Sequence, residues 1–136
     1  MSRILVVDDD TAVRGAIKTV LERDGHDVVL AGDGRAGVSA IATDAFDVVI
    51  CDIFMPGMDG IETIQAFHQS NPHIPIIAMS GFMFRDGHEP APDFLNLATK
   101  LGAACSLRKP FRPQDLLKAV RECTANASPP GLKATG

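Results

Sequence analysis

Five short apolar runs, most of them rich in Val and Ile, recur along the chain with amphipathic segments between them, and this alternation narrows the fold more than any other feature. The runs are "ILVV" at Ile4 to Val7, "DVVLA" at Asp27 to Ala31, "DVVI" at Asp47 to Ile50, "IPIIAM" at Ile74 to Met79, and the weaker "CSLR" at Cys105 to Arg108. Short apolar runs without polar alternation read as strands covered on both faces. Strand and helix in turn, joined by short loops, favour a parallel sheet with right-handed crossovers and helices on each side. The expected fold is therefore α/β, a doubly wound five-stranded parallel sheet flanked by five helices.

The helical segments carry their own punctuation. In the first, Val13, Ala16, Ile17, Val20 and Leu21 share a face, with Asp10 or Thr11 as N-cap and Gly25 as stop. The second, roughly 35–43, follows the turn "GDG" and offers Ala36, Ser39 and Ala40. The third, about 60–70, turns Ile61, Ile64, Ala66 and Phe67 toward a core and is broken by "NPHIP". A fourth, about 92–101, uses Phe94, Leu95, Leu97, Ala98 and Leu101. The fifth starts at Pro113, runs to about Thr124 and buries Leu116, Leu117 and Val120. A chain of 136 residues encloses one core, so residues 1–125 are expected to form one domain. "NASPPGLKATG", 126–136, lacks apolar periodicity and reads as a flexible tail or truncated linker.

Composition excludes several function classes. The net charge is -4 and the basic residues are scattered, which argues against a nucleic-acid surface. The opening "MSRILVVDDD" has too short an apolar run for a leader or a membrane span, so no membrane role is expected. Cys51, Cys105 and Cys123 form no CxxC, which points away from a disulfide framework and toward a reducing cytoplasm; Cys51 is assigned to core packing. His26, His68, His73 and His88 lack ligand spacing and are expected to be solvated.

In an open parallel sheet, ligands bind beyond the carboxyl ends of the strands. Those positions hold Asp8 and Asp9, then Asp52, then Ser80, then Lys109. Three carboxylates in one crevice repel one another, and a hard divalent cation with oxygen ligands offsets that repulsion. Mg²⁺ is the candidate, held by Asp8, Asp9 and Asp52, with phosphate oxygens and waters completing its shell. Lys109 supplies a positive charge and Ser80 a hydroxyl donor for a phosphoryl group, leaving Asp52 as the nucleophile that becomes an acyl phosphate.

Taken together, "ILVVDDD", "DVVICDIFMPGMDG", "IPIIAMSG" and "LRKPF" resemble the response-regulator receiver domain over about residues 3–124. The resemblance implies the flavodoxin-like strand order 2-1-3-4-5. It implies Asp52 as phosphoacceptor for a sensor histidine kinase or phosphotransfer protein, Asp8 and Asp9 as Mg²⁺ ligands, and the backbone carbonyl of Phe54 as another. Ser80 would contact the phosphoryl group and Lys109 would stabilise it. The output would pass to a downstream protein through the surface of the fourth helix, fifth strand and fifth helix, with the chain a monomer or weak dimer. Such a domain is not an enzyme but a cytoplasmic signalling protein that assists its own phosphorylation and dephosphorylation. No output domain follows in this sequence, so a stand-alone type is expected.

Three places depart from the family's pattern. Ser106 stands where the family usually carries the aromatic that acts as its rotameric switch. The interval from Ser80 to Lys109 is long, with the excess in a loop at about 81–93; with its Phe82, Met83 and Phe84 it is expected to cover the site or meet a partner. Phe54 and Phe82 are bulky where polar residues are common, which is expected to hinder water and prolong an acyl phosphate. Two other readings use the same residues: an interaction module independent of phosphorylation, and a Mg²⁺-dependent phosphohydrolase acting through an aspartyl phosphate.

Overall fold

The computed structural model describes residues 2–53, 60–80, 103–108 and 111–126. Strands β1 (Arg3–Val7), β2 (Asp27–Ala31), β3 (Val48–Asp52), β4 (Ile76–Ser80) and β5 (Cys105–Arg108) form one sheet in the order β2-β1-β3-β4-β5. Every pairing is parallel. Leu5 lies opposite both Val29 and Val49, Cys51 opposite Ala78, and Ser80 opposite Arg108. The expected strand order and parallel direction of pairing are thus observed, and β3 ends two residues later than its apolar run, taking in Asp52.

Helices α1 (Thr11–Arg23), α2 (Gly34–Thr43), α3 (Gly60–Ser70) and a C-terminal helix (Pro113–Asn126) cover the sheet. The described residues thus hold four helices against the five expected. The segment expected as the other helix, about 92–101, lies outside them, as does the loop at 81–93. The C-terminal helix reaches Asn126, the residue expected to open the tail; 127–136 lie outside the described residues. No helix among the described residues is long and apolar enough to cross a membrane.

Alternation along each strand sorts the side chains into two layers. Ile4, Val6, Val48, Ile50, Ile77 and Met79 pack with Ile17 and Leu21 of α1 and with Leu116, Val120 and Cys123 of the C-terminal helix. Leu5, Val7, Val49, Cys51, Ile76 and Ala78 pack on the other side with Ile41 of α2 and Ile64 and Phe67 of α3. Full burial of each such aliphatic side chain stabilises by about 1.5–3 kcal/mol. On β2, an edge strand, Leu30 is 37% exposed because the sheet ends there.

The helix faces differ in part from those expected. On α1 the buried residues are Ile17 and Leu21, while Ala16 is exposed. On α2, Ala36 and Ser39 are exposed and the inward face is Gly34, Gly37 and Ile41. A methyl on Gly37 would sit 2.8 Å from Val7 Cγ2 and 3.1 Å from Phe67 Cζ, so the helix approaches β1 as closely as a glycine permits. His26 is not solvated either: its side chain is 9% exposed. Its Nδ1 accepts from the Ser2 backbone N–H at 3.0 Å, and its Nε2 lies 3.2 Å from Asp24 Oδ2.

The amino ends of the strands form a polar floor. Arg3 donates its backbone N–H to Asp47 Oδ2 (2.7 Å), and its guanidinium meets Asp44 Oδ2 (3.1 Å) and lies 5.4 Å from the Phe46 ring centroid. These groups are at the end of the sheet away from Asp8 and Asp52, so they serve the fold rather than the site. Two glycines give opposite expected outcomes in urea unfolding. Gly15→Ala, on the exposed face of α1 with nothing within 4 Å of the new methyl, should stabilise the protein by about 1 kcal/mol. Gly37→Ala should gain the same propensity but lose about 1–3 kcal/mol to overpacking against stiff Val7, for a net loss.

Candidate functional site

The carboxyl edge of the sheet brings two central strands side by side, each delivering an acid. Val7 pairs with Cys51, so Asp8 and Asp52 are the next residues along neighbouring strands. The ladder continues past them: the Asp8 N–H donates to Ala31 O at 3.2 Å and the Ile53 N–H to Met79 O at 2.9 Å. The chain at both acids is therefore held by hydrogen bonds to the flanking strands. Asp8 is fully buried, Asp52 is 4% exposed and Asp9 is open to solvent.

A carboxylate oxygen from each of Asp8, Asp9 and Asp52 lies within 4.8 Å of the others. Three negative groups this close, two of them shut away from water, raise one another's electrostatic energy. One divalent cation with oxygen ligands would fit this donor set, with Asp9 on the solvent side. The expected convergence of these three residues is observed. Ser80 ends β4, the strand next to β3, and Lys109 directly follows Arg108 at the end of β5. Lys109 and Phe54 themselves lie outside the described residues.

The loop from β1 into α1 is braced by two residues beyond the acidic pair. Asp10 is the N-cap of α1, with Oδ1 accepting from the Ala12 N–H at 2.9 Å and the Val13 N–H at 3.3 Å. Its own backbone N–H donates to Asp8 Oδ1 at 2.9 Å, which ties the cap to the buried carboxylate. Arg14, one turn into the helix, donates from Nη1 to the Asp8 backbone O at 2.6 Å and from Nη2 to Thr11 Oγ1 at 3.3 Å. Arg14 went unnoticed in the sequence. Its only signal is an arginine one turn past a capping aspartate, and many exposed helix faces carry that.

Cys51, beside Asp52, points to the opposite layer and is fully buried. Burial first, then the Asp52 and Asp8 carboxylates, push its thiol far above the usual range, so it stays protonated. Packing is its role, as expected.

The family follows from comparison. Residues 4–121 match the model of the response regulator receiver domain. The chain belongs to that family. It is 35% identical over 127 residues to the response regulator MprA of Mycolicibacterium vanbaalenii, covering 93% of this chain and 52% of that protein. It is 34% identical over 131 residues to the transcriptional regulatory protein FixJ of Bradyrhizobium diazoefficiens, covering 96% of this chain and 60% of that one. The chain thus spans about half the length of these curated relatives. Among solved structures, the Vibrio cholerae chemotaxis protein CheY4 superposes with a TM-score of 0.80 at 30% identity, covering 90% of this chain and 98% of that one. A CheY-like receiver domain protein from Methanospirillum hungatei gives a TM-score of 0.84 at 29% identity, with coverage of 93% and 96%. The receiver fold and its place in two-component signalling are thereby shown.

Removing the cap isolates its contribution to this loop. Asp10→Ala should lower the unfolding free energy by about 1 kcal/mol in urea titrations, because two helix N–H groups lose their acceptor.

Proposed function

We propose that this receiver accepts a phosphoryl group on Asp52 from a histidine kinase or phosphotransfer protein, in a reaction that needs Mg²⁺, and signals through a changed protein-binding surface. The observation that carries the reading is the cluster of Asp8, Asp9 and Asp52 oxygens within 4.8 Å at the carboxyl edge of the parallel sheet. Membership of the receiver family supports it.

In the transfer, a carboxylate oxygen of Asp52 forms a P–O bond as the donor's P–N bond breaks, and the departing imidazole takes up a proton. Asp8, Asp9 and Asp52, with the Phe54 carbonyl, would hold the cation, which when bound neutralises charge on the phosphoryl oxygens. Asp8 is held in place through its carbonyl by Arg14 and through its Oδ1 by the Asp10 N–H. Lys109 would pair with the negative charge that the acyl phosphate carries on its phosphoryl oxygens, and Ser80 would donate to a phosphoryl oxygen. The partner face would comprise β5 and the C-terminal helix together with the segment about 92–101. Ser106 on β5 is exposed and too small for an aromatic switch, so the readout in this chain would have to use other groups.

Incubation with a small acyl phosphate and Mg²⁺ tests the reading. Wild type should gain one covalent phosphoryl group, with none on Asp52→Ala and none in the presence of excess EDTA. Absence of label on the wild type would instead favour a binding module independent of phosphorylation, and rapid release over many turnovers a phosphohydrolase. Phe54→Asn should shorten the lifetime of the acyl phosphate several-fold, followed as loss of label after the donor is removed. An unchanged lifetime would remove Phe54 as a shield against water.

A further inference from the structure

Two cysteines outside the acidic site meet across the layer beneath the C-terminal helix. Cys105 opens β5 and Cys123 lies in the last turns of that helix, 18 positions on, and their Sγ atoms are 2.9 Å apart. Both are free thiols. Cys105 is half-buried and packs with Leu107 toward the layer that contains Leu116, Ala119 and Val120, whereas Ser106 and Arg108 face out. Cys123 is fully buried in the same layer. The third cysteine, Cys51, belongs to the layer on the other side of the sheet and does not compete.

We infer that Cys105 and Cys123 form a reversible intramolecular disulfide that staples the C-terminal helix to the edge strand β5. A disulfide needs its sulfurs about 2.05 Å apart, so the gap to close is under about 1 Å, within reach of small side-chain rotations. Among the described residues the pair belongs to no group of three metal-ligating side chains, which favours a disulfide over a metal thiolate. In a reducing compartment such bonds are typically transient and redox-sensing.

The oxidant is a peroxide. The Cys105 sulfur, the more accessible of the two, attacks a peroxide oxygen; the O–O bond breaks, Cys105 becomes a sulfenic acid and one water leaves. Cys123 then attacks that sulfur; the S–S bond forms, the S–O bond breaks, and the hydroxide leaves with the Cys123 proton as a second water. Two electrons and two thiol protons pass to one peroxide. Burial and the hydrogen bond with Cys105 push the Cys123 thiol up, so its proton leaves in the step in which it attacks the sulfenic sulfur. A dithiol reverses the step by supplying the same two electrons.

The full chain, reduced and then exposed to hydrogen peroxide, is alkylated and mapped by mass spectrometry. The expected product joins the peptides of Cys105 and Cys123, weighs two hydrogens less than their sum, reverts with dithiothreitol and melts at a higher temperature than the reduced protein. Cys105→Ser and Cys123→Ala should each abolish the bond and the rise in Tm. Accumulation of sulfinic or sulfonic acid at Cys105, a link to a second copy, or two cysteines that stay alkylatable would overturn the inference. Mapping the wild type decides this whether or not the variants fold. The disulfide should form equally in Asp52→Ala, so it stands or falls separately from phosphoryl transfer.

Discussion

The mutual repulsion of Asp8 and Asp52 is the constraint on which the rest of this molecule depends. Both carboxylates are shut from solvent at the ends of adjacent parallel strands, where a buried charge costs several kcal/mol unless other groups compensate. An arrangement like this persists only if the backbone around it is fixed more firmly than the repulsion can loosen it. The ladder bonds continued past both acids, the Asp10 cap and the Arg14 brace supply that rigidity. The same repulsion is what the proposed cation would relieve, so one electrostatic fact would link the stiffness of the loop to the proposed chemistry.

Much of this was written in the residue types. β3 carries Val48, Val49, Ile50 and Cys51 without a polar interruption because it is covered on both faces, and only such a strand can deliver Asp52 into a crevice walled by its neighbours. The acids at the ends of β1 and β3 were legible because strand ends are where a parallel sheet meets its ligands. Asp10 as cap was legible because a side-chain oxygen next to the first helical turn has one dominant use. Strand order was not contained in the alternation itself and came through resemblance to the receiver family.

Other features depend on distances that sequence spacing does not encode. Ala36 and Ser39 of α2 carry almost no hydrophobic signal and are exposed, Ala40 packs against the core, and the closest approach of the helix is made by Gly37 against Val7 and Phe67. Ala16 lies on the expected stripe but is exposed, while Ile17 and Leu21, with Val13 and Val20 beside them, pack toward the sheet. His26 looked like a turn residue, yet its ring is held between the backbone of Ser2 and the carboxylate of Asp24. The approach of Cys105 to Cys123 joins an edge strand to a helix that crosses it, and neither CxxC spacing nor periodicity announces such a pair.

Among the described residues, the sheet divides the interior into two packing compartments with no buried side chain in common. One holds Ile17, Leu21, Leu116 and Val120, the other Ile41, Ile64 and Phe67. Energetic coupling falls away between distant residues without shared partners, so volume changes at helix positions on opposite sides of the sheet are expected to add. A lineage can therefore redesign the helices on one side for a new partner while the packing of the opposite side goes on under its own selection. Asp8 and Asp52 stand at the ends of strands that line both compartments, so the acidic edge is inherited with either side.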